Sequence, residues 1–275
     1  MNATEAAFGV AEVVDENMAN AARVHAVENG EDLSEYTMIA FGGAAPLHAS
    51  RLCEKLGIDR LLVPPGAGVG SAIGFLRAPF SFEANRSVYM KLSEFDPERI
   101  KTLLSELKQE AVSFVRNCDA ESKILANFKV YMRYTGQGWE IPITLSEQEA
   151  MNPDRETFLT LFEKDYSKLF GRTVHGMNVE ITVWAVNATT PTKPVPVVPV
   201  SEGDRIADIS GNRQIFDPAL GKTVEAAIVD RFEMAKGAKA EGPVAIVEDE
   251  TTIIIPSSRS AVRQVDGCID IMAKI

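Results

Sequence analysis

Twice before residue 80 the sequence runs a short apolar segment into a glycine-rich bend and on into a helical pattern. Thr37 to Phe41 leads into Gly42 and Gly43, after which Pro46 can occupy the first turn of a helix reaching about Leu56. Arg60 to Val63 repeats the strand signal, Pro64 to Gly70 forms a glycine-rich loop, and Ser71 to Ala78 continues as a short helix of small residues. Successive strand and helix units predict parallel pairing with a right-handed crossover. A parallel sheet needs both faces covered, and residues 1–80 supply only two such strands. Either later strands of the chain complete the sheet, or another polypeptide does, or the chain is part of a longer protein. The last two are the expectation, which makes the chain an incomplete enzyme by itself.

The flanking segments read differently. Asn2 and Glu5 form a capping pair, Val10, Val14, Met18, Ala21 and Ala22 recur at helical spacing, and Gly30 supplies a stop, so a helix is expected over 3–29. Beyond residue 85 an amphipathic helix over 96–117 places Ile100, Leu103, Leu104, Leu107, Ala111 and Phe114 on one stripe. Alternating residues on either side of Thr135-Gly136-Gln137-Gly138 predict a hairpin with Pro142 on an edge strand. Asn152 and Pro153 are expected to start a helix that carries Phe158, Phe162 and Tyr166 and stops at Gly171. Val179 to Ala188 is a strand, and Pro191 to Pro199 is an extended linker. Short strands near 213–216, 224–230, 243–247, 251–255 and 260–265 predict a small β sandwich or barrel at the tail. The fold class expected is α/β plus β-rich.

Charge and composition exclude several functions. The 39 acidic against 28 basic residues give a formal charge of −11, which repels phosphate backbones and anionic membranes. Neither a nucleic-acid nor a membrane partner is expected, and no apolar run approaches the roughly 18 residues of a bilayer span. Cys53, Cys118 and Cys268 are scattered, with no thiolate metal spacing or disulfide framework, which fits a reducing cytoplasm.

Phe41-Gly42-Gly43-Ala44-Ala45-Pro46 is the strongest local signal. Glycines between a strand and a helix let a ligand approach the backbone, and exposed amides with the helix dipole favour a nucleotide phosphate or a purine edge. The alternative is a turn that only packs helix on strand. Gly66, Gly68, Gly70 and Gly74 do not complete a dinucleotide fingerprint, since Ser71 ends the run and no acidic residue closes a strand about twenty residues on. No phosphate-loop motif is present either, and the small residues Ser71, Ala72, Gly74 and Ala78 are expected to pack closely. His25, His48 and His175 share no metal-ligand spacing; His48, in the first helical turn after the glycines, is the one to test. Glu248, Asp249 and Glu250 read as a solvated turn, with a magnesium site as the sharper alternative, and Cys53 as a core residue.

These residues carry a resemblance. Asn17-Met18-Ala19, Met38 through Ala49, Leu56-Gly57-Ile58, Val63 through Gly66 and Ser71 through Gly74 occur in an order that resembles the carboxy-terminal part of the hydantoinase A and 5-oxoprolinase family. Tyr134 to Gln137, Phe162 to Gly171, Val179 to Ile181 and Gly242 to Glu248 extend the likeness, with Ala45 where the family more usually has glycine. The resemblance implies an incomplete lobe of the actin, sugar kinase and Hsp70 ATPase type over 1–84, then a family-specific α+β domain over 85–275. It implies ATP with magnesium, used to activate a cyclic amide carbonyl of hydantoin or 5-oxoproline type through a phosphorylated intermediate, so that water opens the ring. Gly42, Gly43, Ala44, Ala45, His48 and Gly70 are then the expected cofactor-side residues. Catalytic residues are unassigned, and the expected partners are an amino-terminal ATPase lobe or a hydantoinase B-type subunit. A noncatalytic assembly module and a subunit of an ATP-dependent ketone carboxylase are the alternatives.

Overall fold

A computed structural model describes residues 3–174, 176–192 and 194–274, so Asn2 and His175 lie outside the described residues. The chain forms two compact units, Met1–Arg77 with Val195–Ile275, and Ala78–Pro194.

The first unit opens with α1 (Ala3–Asn29), β1 (Thr37–Ile39), α2 (Ala45–Leu56), β2 (Arg60–Val63) and α3 (Gly70–Arg77). β1 and β2 pair in parallel as expected, with Met38 opposite Leu61. Gly57, at φ 69°, ends α2 in the left-handed conformation that glycine adopts without penalty. The expected α1 exists; of its periodic apolar residues Val10 and Val14 are 66% and 42% exposed, while Asp15, Ala19 and Ala26 are buried. On that side Glu12 and Glu16 of α1 pair with Arg51 and Lys55 of α2. α3 departs from expectation. It has no buried residue, and nothing lies within 4 Å of where a Cβ on Gly74 would be.

The second unit contains β3 (Ser81–Arg86), β4 (Met90–Lys91), α4 (Pro97–Cys118), β5 (Leu125–Tyr134), β6 (Ile141–Leu145), α5 (Glu147–Met151), α6 (Arg155–Phe170) and β7 (Val179–Thr189). Its antiparallel sheet runs β3-β7-β5-β6, with β4 also on β7, and Pro142 does lie on the edge strand β6. α4 buries Ile100, Leu104, Leu107, Ala111 and Val115, whereas Phe114 is left half-exposed. The helix expected to start at Asn152 begins later. Asn152 ends α5, which opens on a Ser146 and Glu149 capping box, and Asp154 caps α6 by accepting from the Thr157 N–H at 2.9 Å.

The tail returns to the first unit as β8 (Arg205–Ile206), β9 (Gly211–Asp217), β10 (Lys222–Asp230), β11 (Ala238–Glu241), β12 (Val244–Val247), β13 (Thr252–Ile255), β14 (Arg259–Arg263) and β15 (Ile269–Ala273). β15 lies antiparallel to β2, with Ile271 opposite Leu61, giving a six-stranded sheet in the order β1-β2-β15-β14-β11-β8. The chain's own later strands therefore extend the sheet, contrary to the expectation that another polypeptide or a missing segment must. β13-β12-β10-β9 form a separate four-stranded sheet, and no closed barrel forms among the described residues. One apolar core joins Leu61 and Val63 to Ile246, Ile253, Ile255, Ile269 and Ile271, so tail and amino-terminal strands bury the same surface. No helix among the described residues is long and apolar enough to cross a membrane.

Candidate functional site

Two further bends close on the glycine turn. β1 feeds Ala40, whose N–H donates to Leu62 O, and Gly42 at φ 111° turns its own N–H onto Ala67 O at 2.6 Å. From the tail, the Thr251 hydroxyl donates to Gly43 O at 2.7 Å. A Cβ on Gly68 would fall inside contact distance of the Glu250 Cβ and 3.0 Å from its carbonyl oxygen, and one on Gly70 would meet the Phe41 Cβ at 3.3 Å. Glycine is thus required at 42 by conformation and at 68 by space. The turn is not sealed: Gly43 and Ala44 are exposed, and Gly42 and Ala45 half-exposed. Ala44, as the cap of α2, makes no side-chain capping bond; next to it Pro46 carries no N–H, and the Leu47 N–H turns back onto Ala44 O at 3.1 Å. Gly42, Gly43, Ala44, Ala45 and Gly70 are brought together here.

His48 is directed elsewhere. Its Nδ1 lies 2.7 Å from Oδ1 of Asp15 on α1, and it lines a separate cleft with Leu47 and Ser50. His25 is exposed on α1. Cys53 is fully buried, as expected of a core residue. The acidic run is not a solvated turn throughout: Glu248 is bound by Arg231 at 2.9 and 3.1 Å with both side chains almost wholly buried. Burial pushes the Glu248 carboxyl up against the pull of Arg231, and Glu250 and Asp249 add to the rise. Among the described residues no group of three or more His, Cys, Asp or Glu is placed to hold a metal ion.

The motif residues of the second unit also converge. Tyr134 stacks edge-on against Phe162 and Tyr166, and Gln137 donates from Nε2 to the Tyr166 hydroxyl at 2.9 Å. Beside them the buried Glu180 accepts from Arg133 Nε at 2.7 Å and from the Tyr89 hydroxyl at 2.8 Å. Burial pushes its carboxyl up, but these bonds outweigh it and hold the group below its ordinary range. Trp139, at the hairpin end of this strand pair, is 75% exposed. Sequence reasoning missed Asp15, Glu180 and Thr251, because each acts across a long separation that no local pattern records.

The mixed α/β fold, with several sheets, is shared with acetone carboxylase in its nucleotide-free structure, at a TM-score of 0.77 and 20% identity over 98% of this chain and 40% of that one. The chain belongs to the hydantoinase/oxoprolinase family: residues 1–84 match the hydantoinase/oxoprolinase model, and residues 92–266 match the hydantoinase/oxoprolinase C-terminal domain. An uncharacterized protein of Methanocaldococcus jannaschii is 30% identical over 97% of this chain and 38% of its own length. The caprolactamase subunit alpha of Pseudomonas jessenii is 23% identical over 91% of this chain and 37% of its own length. The chain thus spans about two fifths of each of these relatives.

Proposed function

We propose that this chain supplies the purine-side wall of an ATP site in a larger enzyme that opens cyclic amides of hydantoin or 5-oxoproline type. The observation that carries the reading is the exposed Gly42 to Ala45 bend, shaped for close approach, at the uncapped start of α2. Gly42, Gly43, Ala44 and Ala45 would border the adenine or ribose, and Gly70 would hold Phe41 behind them. His48, turned to Asp15, stands outside this role. The family supports the chemistry: one relative is a caprolactamase subunit, and a fold relative carries out ATP-dependent acetone carboxylation. ATP, when bound, supplies a phosphoryl group that turns a reluctant amide oxygen into a leaving group. No magnesium ligand set is assigned to this chain, and no step is routed through the metal.

The phosphate-gripping wall would come from an amino-terminal lobe, and a hydantoinase B-type subunit would complete the assembly. The exposure of Ile39, Phe41, Phe75 and Leu76 at and after the β1 edge fits such coverage. A ketone carboxylase subunit is the second reading, favoured by the acetone carboxylase likeness.

The test is ATP turnover, with a hydantoin, 5-oxoproline and acetone panel, by the native assembly carrying Gly43→Leu. A Cβ at 43 meets only Glu250 O at an ordinary 3.6 Å, so the variant should fold, with the side chain projecting into the exposed face. Loss of ATP-dependent turnover supports the reading. Undiminished turnover would leave the turn a packing device and the chain an assembly module.

A further inference from the structure

α1, α2 and the tail strands enclose a cleft of about 280 Å³ that the nucleotide reading leaves unused. Its apolar walls include Phe8 and Phe216, whose rings stack at 3.5 Å between centroids, with Ile215, Ile254 and Pro256. That volume sits just below the usual range for small-molecule sites and suits a compact ligand of one or two rings.

The polar lining fixes what such a ligand must carry. Asp15 is only 6% exposed, and its carboxylate faces His48 Nδ1 at 2.7 Å. With Nδ1–H donated to Asp15, the tautomer that carries its proton on Nδ1 leaves Nε2 as an acceptor. No donor among the described residues reaches Nε2. Arg51 gives its Nε and Nη2 to Glu12 and its Nη1 to Glu54, so the guanidinium is matched by two carboxylates and offers no net charge to an anion. Ser50 Oγ donates to Ile254 O.

We propose that this cleft binds a neutral, largely apolar small molecule bearing one N–H or O–H donor, which His48 Nε2 accepts while Asp15 holds the ring in the required tautomer. The site is independent of the ATP reading and stands whether or not the glycine turn binds a nucleotide.

Indole and benzofuran separate the components, since they share a shape and only indole carries the donor. Calorimetric titration of each into the whole chain should give saturable binding, with indole tighter by about three- to tenfold, the worth of one hydrogen bond. Leu47→Trp, at a half-exposed position on the cleft, should abolish binding of both without unfolding the chain. Asp15→Asn, checked for folding by circular dichroism, can donate to Nδ1 and make Nε2 a donor. The indole preference should then vanish, and 1-indanone, an acceptor of similar size, should gain. Failure of both bicycles to bind, equal binding by the wild type, binding that survives Leu47→Trp, or an indole preference that survives Asp15→Asn would each overturn the proposal.

Discussion

Arg60 grips both carboxylate oxygens of Asp270, at 3.0 and 2.8 Å, across 210 residues of sequence. The pair lies where β15 runs beside β2, so a charge-assisted fork reinforces the strand pairing that joins the tail to the β1-β2 pair. Asp270 is almost buried, and its other neighbour, Gln264 Nε2, is 3.4 Å away. Arg60→Ala therefore leaves a carboxylate short of donors and should lower stability by about 1.5–3 kcal/mol. Urea unfolding is the check, and a loss below about 0.5 kcal/mol would show that the apolar core alone holds β15 in place.

This pairing also marks where the sequence ceased to be informative. Periodicity and glycine punctuation were enough for α2, β2, the β5-β6 hairpin and the edge position of Pro142, because each is decided within about ten residues. They could not show that Ile271 sits opposite Leu61, since hydrophobic alternation marks a strand without naming its partner. The apolar spacing of Val10 and Val14 marked a helix without showing which face is buried. α1 meets α2 through ion pairs with Arg51 and Lys55, and those partners belong to another helix. At the candidate site, Gly42 and Gly43 were legible as a bend, while Thr251 and Glu250, which close on it, arrive from the far end of the chain.

Gly68 and Gly74 make opposite predictions from the same substitution. Alanine at 68 drives a methyl into Glu250 and its backbone, so Gly68→Ala should cost about 1–3 kcal/mol and disturb the bend beside Gly43. Alanine at 74 meets open space inside α3 and should add about 0.5–1 kcal/mol through helix propensity. Thermal midpoints of the two variants should move in opposite directions; a shift of the same sign in both would refute the close approach of Glu250 to Gly68.

Acid should act through Glu180. Burial raises its carboxyl, but the bonds from Arg133 and Tyr89 prevail and set the folded value below the ordinary 4.5. A carboxyl lowered by folding contributes its full stability above the unfolded value, and that contribution falls away as pH drops through the folded one. Glu180→Gln should accordingly cost about 1.5–3 kcal/mol near neutral pH. The difference from wild type should shrink as pH falls below 4.5. Thermal midpoints at pH 7 and pH 3 give the comparison, and a difference that stays constant between them would remove Glu180 from the acid response.

Arg231 and Glu248 form the most deeply buried charge pair described, with side chains 4% and 2% exposed. The guanidinium does more than neutralise its partner, because Nη2 also donates to Val63 O at 2.9 Å and to Gly267 O at 3.1 Å. It thereby ties the end of β2 to the bend before β15 and to the acidic run that closes on the glycine turn. Arg231→Met strands a buried carboxylate and should cost about 3–5 kcal/mol. Adding Glu248→Leu removes that stranded charge and should restore part of the loss. Full recovery is not expected, since two backbone carbonyls still lack their donor, each worth about 1 kcal/mol. Denaturant midpoints of the single and double variants decide between these contributions: a double variant no more stable than Arg231→Met would mean that the carbonyl bonds, and not the ion pair, are what the arginine supplies.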